Sequence, residues 1–476
     1  MLHTLERRSA LPALLLAASA ALAACRGAGG PAPTPAVRST SPGADSALLR
    51  RDVATLASDA MDGRGTGTPG NDRAAAYIAE RFVELGLDPV VLSAEPCPAA
   101  PKLGAGPIAG ARIGAADPSR RARPCLTPYF QSFTARSAQL AHAGNAAGVR
   151  TQNVAALLPG SDPALRHQYV VIGAHFDHLG RSAESATDPA AKDAIRNGAD
   201  DNASGTAAVL ELARLLARRP VKRSVIFVAF SGEELGLLGS QYFVEHPPVP
   251  LDSMQAMLNF DMIGRVRNDK LLVYGVATSP DLPGIVQRAN DAAGAGRFAL
   301  TAIGDGFGPS DHSSFYGKNV PVLHFFSDLH ADYHAATDDA EKVDAGGAAR
   351  VVALAERIAR ELADRPTRLP FVRAPQPVAA MGPREGSDVY FGSVPDMAAV
   401  DAGGMRLTGV RPGSPAEQAG LRDGDVVVEF GGRPVKDLYE YSDALYSRKP
   451  GDVVQVVVLR GGERLTLTAT LGRRGG

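Results

Sequence analysis

The chain has 476 residues, 45% of them hydrophobic and 21% charged. That is room for about three domains of ~150 residues, and it excludes a miniprotein needing disulfide staples, a largely disordered chain and a multi-span membrane protein. The 50 Lys and Arg against 51 Asp and Glu leave a formal charge of -1, so no bulk field draws the protein to nucleic acid.

The first 24 residues read as an export signal: Arg7 and Arg8, then an apolar run from Leu11 to Ala24, shorter than the ~20 residues that span a bilayer comfortably. The ending Leu22, Ala23, Ala24, Cys25 resembles a bacterial lipoprotein signal, which implies an exported protein anchored by lipid on Cys25; ordinary cleavage beside an incidental cysteine is the alternative. Arg26, rather than Asp, follows, and in the lipoprotein pattern this implies the outer membrane. Residues 25–45, rich in Gly, Pro, Ser and Thr, suit a flexible tether. Helical spacing of Ala75, Ile78, Phe82 and Leu85 before Gly86 predicts a helix over 71–85.

Residues 89–136 are Pro-rich and irregular and read as an insertion. Export places their two cysteines, Cys97 and Cys125, where a disulfide between them is the expectation. Short apolar runs at 170–174, 224–230, 257–260, 271–276 and 320–326 predict buried strands. Between and after them, 204–218 and 348–364 place apolar residues on one helical face. Strands alternating with helices imply an α/β sheet covered on both sides. Prolines break the pattern over a linker, 366–385. A second, β-rich domain follows at 386–476, with strands at 406–410, 425–430, 453–459 and 464–471 and a helix at 414–419.

Chemistry-bearing residues sit just after the apolar runs: His175 and Asp177, Glu233 and Glu234, Asp261, and further on His334. In open α/β sheets, ligands bind beyond the carboxyl ends of the strands, so these groups converge on one rim, with Asp201 opening the helix at 204. Two histidines with several carboxylates suit a pair of divalent ions better than a structural zinc, which prefers cysteine. Asp200 reads as a solvated acid at the helix start. His178, His312 and His330 read as structural or supporting. Gly65, Gly67 and Gly70 fit a dinucleotide fingerprint, but no apolar strand precedes them and a tight turn explains them. There is no Gly-x-Ser-x-Gly elbow for a serine hydrolase.

The stretches GAHFDHLG (173–180), NGADDNASGT (197–206), SGEELGLLGS (231–240), NFDMIGR (259–265) and DYHAATD (332–338) resemble the di-zinc aminopeptidases of metallopeptidase family twenty-eight. The resemblance covers about 51–365, within a catalytic domain at 46–365. It implies a three-layer zinc-exopeptidase fold with a mixed, mostly parallel sheet, and two zinc ions. Asp201 would bridge them, with His175 and Asp261 at one ion and Glu234 and His334 at the other. It further implies Glu233 as general base, Asp177 as acceptor of the His175 ring N–H, and Tyr333 as hydrogen-bond donor to the oxyanion. The substrates implied are peptides with a free N-terminus, hydrolysed by metal-activated water. A glutaminyl cyclase-like zinc acyltransferase on the same fold and a non-catalytic tethered binding protein are the competing readings.

The run GVRPGSPAEQAGLRDGDVVVEFGGRPV (409–435) resembles a bacterial PDZ domain. It implies a carboxylate-binding loop at Tyr390, Phe391 and Gly392, a C-terminal peptide or protein as partner, and a small β-rich module beside the catalytic domain.

Overall fold

The computed structural model describes residues 43–90, 126–374 and 389–473, apart from 138–139, 141–143, 146, 183–185, 189–190, 192, 396–402, 411–412, 437–439, 442–443 and 446. The export signal, Cys25, Cys97, Cys125 and most of the linker lie outside the described residues.

Nine strands form the first sheet: β1 (Asp88–Pro89), β2 (Phe130–Ala135), β3 (Val149–Leu158), β4 (Tyr169–His175), β5 (Ser224–Phe230), β6 (Met254–Phe260), β7 (Lys270–Tyr274), β8 (Ala299–Ile303) and β9 (Val322–Phe326). Their order is β1-β3-β5-β4-β6-β9-β7-β8, with β2 also paired to β3. The central strands β5, β4, β6 and β9 run parallel, while β3 and β7 flank them antiparallel. Because the block is in register, with His175 opposite Phe230 and Phe260 opposite Phe325, the strand ends form one level rim.

Side chains alternate across a strand, and here each set enters a different core. Val170, Ile172, Val225, Phe227 and Leu258 pack into one cluster; Val171, Ile226, Val228 and Met257 into another. Helices α1 (Ser46–Leu56), α2 (Pro69–Glu84), α3 (Gly205–Arg218), α5 (Leu282–Asp291) and α7 (Ala345–Asp364) cover the first face, and α4 (Leu238–Glu245) and α6 (His312–Gly317) the second. The architecture is therefore a three-layer α/β fold. With about 1.5–3 kcal/mol for each fully buried large apolar side chain, Val209, Leu212 and Leu216 alone fix α3 against the sheet.

Local caps set the helix starts. The Asp45 carboxylate accepts from the amides of Ala47 and Leu48 before α1, and the Thr68 hydroxyl from Asn71 before α2, whose first turn holds Pro69. Among the elements not foreseen are helices α1, α4, α5 and α6 and strands β3 and β8. Residues 127–135, counted above within the irregular insertion, form a short 3-10 turn and β2. The strand FQSFTA alternates exposed and buried positions, as an edge strand does.

The C-terminal residues build a separate core from Val389, Phe391, Leu407, Val427, Phe430, Tyr441, Val456, Val458 and Leu471. Around it lie β10 (Val389–Tyr390), β11 (Ser393–Pro395), β12 (Met405–Val410), β13 (Val426–Phe430), β14 (Arg433–Pro434), β15 (Val453–Arg460), β16 (Glu463–Thr470), β17 (Gly472–Arg473) and the short helix α8 (Pro415–Gln418). Every pairing here is antiparallel. Phe391 is a core residue stacked edge-on against Phe430, and its carbonyl accepts from the Ala416 amide. Gly392 has φ of 84°, and a Cβ there would meet Ser414 at 2.2 Å, so this turn requires glycine.

Candidate metal centre

The rim collects the predicted residues. His175 closes β4, Asp261 follows β6, and Glu233 and Glu234 follow β5 by way of Ser231 and Gly232. Asp201 comes from a distorted turn ahead of α3, with φ -104° and ψ 94° and a cis peptide to Asn202. Two donor groups result. In the first, His175 Nε2 lies 3.4 Å from Asp201 Oδ1 and 3.3 Å from Asp261 Oδ1. In the second, His334 Nε2 lies 3.1 Å from both Asp201 Oδ2 and Glu234 Oε2. Asp201 thus turns one oxygen to each group.

His178 enters the second group, which the sequence reading did not foresee. Its Nδ1 is 2.7 Å from Glu234 Oε1 and 3.9 Å from Asp201 Oδ2, so Glu234 has a histidine at each oxygen. The signal was its place three residues after His175 in the same motif. Gly198 makes the fit: its φ is 53°, and a Cβ would meet the Asp201 carbonyl at 2.1 Å and the His178 ring at 2.5 Å.

Asp177 is placed differently from expectation. The His175 Nδ1 is closer to the Asp177 backbone carbonyl, 3.2 Å, than to its carboxylate, 3.8 Å. That carboxylate instead accepts from the Thr66 hydroxyl at 2.7 Å and from the Glu233 amide at 3.2 Å, anchoring the backbone of Glu233. Asp200 is not solvated either; it is fully buried. Its Oδ1 accepts from the Gly264 amide and the Ser204 hydroxyl, and its Oδ2 lies 3.1 Å from His330 Nε2, off the line of a hydrogen bond. The Asp338 carboxylate accepts from the amides of both Asp200 and Asp201 while Arg265 holds its other oxygen. The Asn202 side chain bonds Phe260 and Met262, tying the turn to the end of β6.

The electrostatics follow from many acids in a dry place. Burial opposes charge on His175, but Asp261, Glu233 and Asp201 outweigh it and hold its pKa well above the usual range. Burial likewise opposes charge on Glu234, yet His334 and His178 hold this carboxylate well below its usual range. Glu233 goes the other way: loss of water pushes it well up, His175 opposes, and Glu234 and Asp311 add to the rise. Adjacent acids with opposite shifts are poised for different roles. Tyr333 stacks on His334 at 3.9 Å; shielding from water, then Asp201 and Glu234, keep its phenol neutral.

Residues 153–359 match peptidase family M28, and residues 388–471 match the PDZ domain. The chain is similar to leupeptin-inactivating enzyme 1 of Streptomyces exfoliatus, 35% identical over 223 residues, which are 46% of this chain and 42% of that protein. Aminopeptidase YwaD of Bacillus subtilis is 30% identical over 153 residues, 31% of this chain and 33% of that protein. The chain thus spans less than half the length of these curated relatives. Among solved structures, a zinc aminopeptidase from Bacillus subtilis superposes with a TM-score of 0.50 at 17% identity, covering 68% of this chain and 96% of that one. A Zn-dependent exopeptidase from Parabacteroides distasonis does so with 0.50 at 16%, covering 67% and 99%. At such identity these two likenesses speak for the fold.

Proposed function

We propose that this chain, a peptidase family M28 domain joined to a PDZ domain, is a zinc aminopeptidase that holds two zinc ions and removes the N-terminal residue of peptides. The observation that carries this reading is the division of Asp201 between two His-carboxylate groups. A ring nitrogen carries at most one proton, yet His175 Nε2 and His334 Nε2 each face two carboxylate oxygens within 3.4 Å; a cation in each group satisfies all of them. Imidazole with carboxylate suits zinc, and a shared carboxylate suits a pair about 3.5–4 Å apart. Relatives named as an aminopeptidase and a leupeptin-inactivating enzyme support peptide substrates.

His175, Asp201 and Asp261 would hold one ion, and Asp201, Glu234 and His334 the other, with His178 beside Glu234. Zinc held there supplies Lewis-acid polarisation of the scissile carbonyl and a water acidic enough to lose its proton near neutral pH. Glu233 would take a proton from the attacking water and pass it to the leaving amine. Asp177, through the Glu233 amide, fixes where the base starts from. The neutral Tyr333 hydroxyl is the donor for the developing oxyanion.

The test is zinc per chain by mass spectrometry, together with products from a mixed peptide library. Two zinc ions and free N-terminal amino acids are expected. One zinc with cyclised N-terminal glutamine would replace hydrolysis by cyclisation, and no metal with no turnover would leave a tethered binding protein. The export reading adds a lipid anchor at Cys25, supported by the signal sequence. Cys25→Ala should release the protein from membranes or block its processing; continued need for detergent would point to another anchor.

A further inference from the structure

The segment just before Gly65, whose glycines resembled a nucleotide fingerprint, does something else. Arg64 is a fully buried arginine, and among the described residues its guanidinium bonds only to backbone carbonyls. Its Nε donates to Phe176 at 2.7 Å, one terminal nitrogen to Leu56 at 2.7 Å and Asn197 at 2.6 Å, and the other to Gly198 at 2.8 Å. Phe176 follows His175 directly, and Asn197 and Gly198 lead into Asp200 and Asp201. One planar cation therefore fastens together the loops of His175 and Asp201, two of the three segments that carry the first donor group, 112 and 133 residues away in sequence.

The neighbouring residues repeat the contact. Gly65 forms a bridge with His178, the Gly63 carbonyl accepts from Gly180, and Thr66 bonds Asp177. The backbone is bent to do so: Asp62, Gly63 and Arg64 have φ of 50°, 62° and 52°, and two of them are not glycine. Left-handed non-glycine residues are strained and persist only where the surroundings over-determine them. Here the Asn71 side-chain Nδ2 donates to the Arg64 carbonyl at 3.1 Å. No carboxylate lies within ion-pair distance of the Arg64 guanidinium among the described residues, so its charge faces the acids of the centre only at longer range.

We propose that Arg64 is the positioning residue of the metal centre, clasping the His175 and Asp201 loops into ligating geometry and placing a buried positive charge behind the carboxylates. The proposal rests on the di-zinc reading above. Groups that orient metal ligands typically account for about 10–100-fold in metal affinity or activity. Lysine keeps the charge but lacks the planar fork.

Arg64→Lys and Arg64→Gln, with wild-type protein beside them, are measured for zinc affinity by chelator competition, for kcat and KM on a dipeptide amide, and for Tm with and without zinc. Zinc affinity about 10-fold weaker or more is expected in Arg64→Lys, with a greater loss in Arg64→Gln. The Tm gain on adding zinc should shrink, and kcat at saturating zinc should fall more than KM changes. A lower Tm with zinc affinity and kcat unchanged would make Arg64 a fold clasp only and overturn the proposal. Wild-type protein that binds no zinc would instead sink the di-zinc reading itself. If neither variant folds free of metal, refolding with excess zinc decides: recovery of the fold at a zinc requirement above that of wild type supports the clasp, and failure to fold at any zinc concentration makes Arg64 a fold residue only and overturns the proposal.

Discussion

Glu233 and Asp201 separate the two tasks of the centre, and substitution should separate them too. Glu233→Gln cannot accept a proton; the expected outcome is full zinc content with turnover reduced ~10² or more. Retained turnover would remove Glu233 from the role of base. Asp201→Asn should lose metal and activity together, since its two oxygens serve both donor groups, and two zinc ions bound at normal affinity would end the bridging assignment. The groups at the rim were readable because each lies in a recognisable motif, after an apolar run or, for Asp201, at the opening of a helix. His178 was present in such a motif but passed over. Arg64 and Thr66 were not readable as site residues, because their partners lie more than 100 positions away and nothing local marks them. The role of the Asp177 carboxylate was misassigned for a related reason: spacing placed it beside His175, but only the fold brings the Glu233 amide to it.

At the level of elements, the parallel strands were legible because burial on both faces leaves them no polar side. The edge strand β2 and the long β3 were not, since VRTQNVAALL mixes solvent-facing and buried polar residues, among them Asn153, which donates to the Gly239 carbonyl. Helix α6 and strand β9 meet through two histidines: His312 and His324 stack at 4.3 Å, nearly parallel, beside Tyr274. Asn259 donates to His324 Nδ1 at 3.1 Å, which requires a neutral ring. Burial pushes His312 down to about 3, and burial then His312 push His324 well below its usual range. In the unfolded chain both would titrate near 6.5. The folded pKa values are depressed, so the stability they contribute is complete above about pH 6.5 and is lost as pH falls toward 3, at up to about 1.4 kcal/mol per pH unit for each ring. Tm of chelator-treated protein should therefore drop between pH 6.5 and 4, and drop less in His312→Phe. Parallel curves for the two proteins would show that other groups set the acid limit.

At the scale of the whole molecule, the chain joins a nine-stranded sheet to a C-terminal domain with its own core and its own strand pairings. Because the nine-stranded sheet shares no strand with the two C-terminal sheets, removing residues 386–476 leaves every one of its strands in place. Hydrolysis of dipeptide-sized substrates should therefore survive truncation largely intact. A substrate long enough to reach both domains is another matter: capture of its C-terminus would raise its local concentration at the rim, an effect that exists only where both sites are engaged together. The measurement is kcat/KM for a short and a long peptide in full-length and truncated protein. A loss confined to the long peptide, removed by blocking its C-terminal carboxylate, supports recruitment by the PDZ domain. Equal loss on both peptides would mean that the domain supports the fold of the nine-stranded sheet, and no loss on either would leave it a role apart from the substrate.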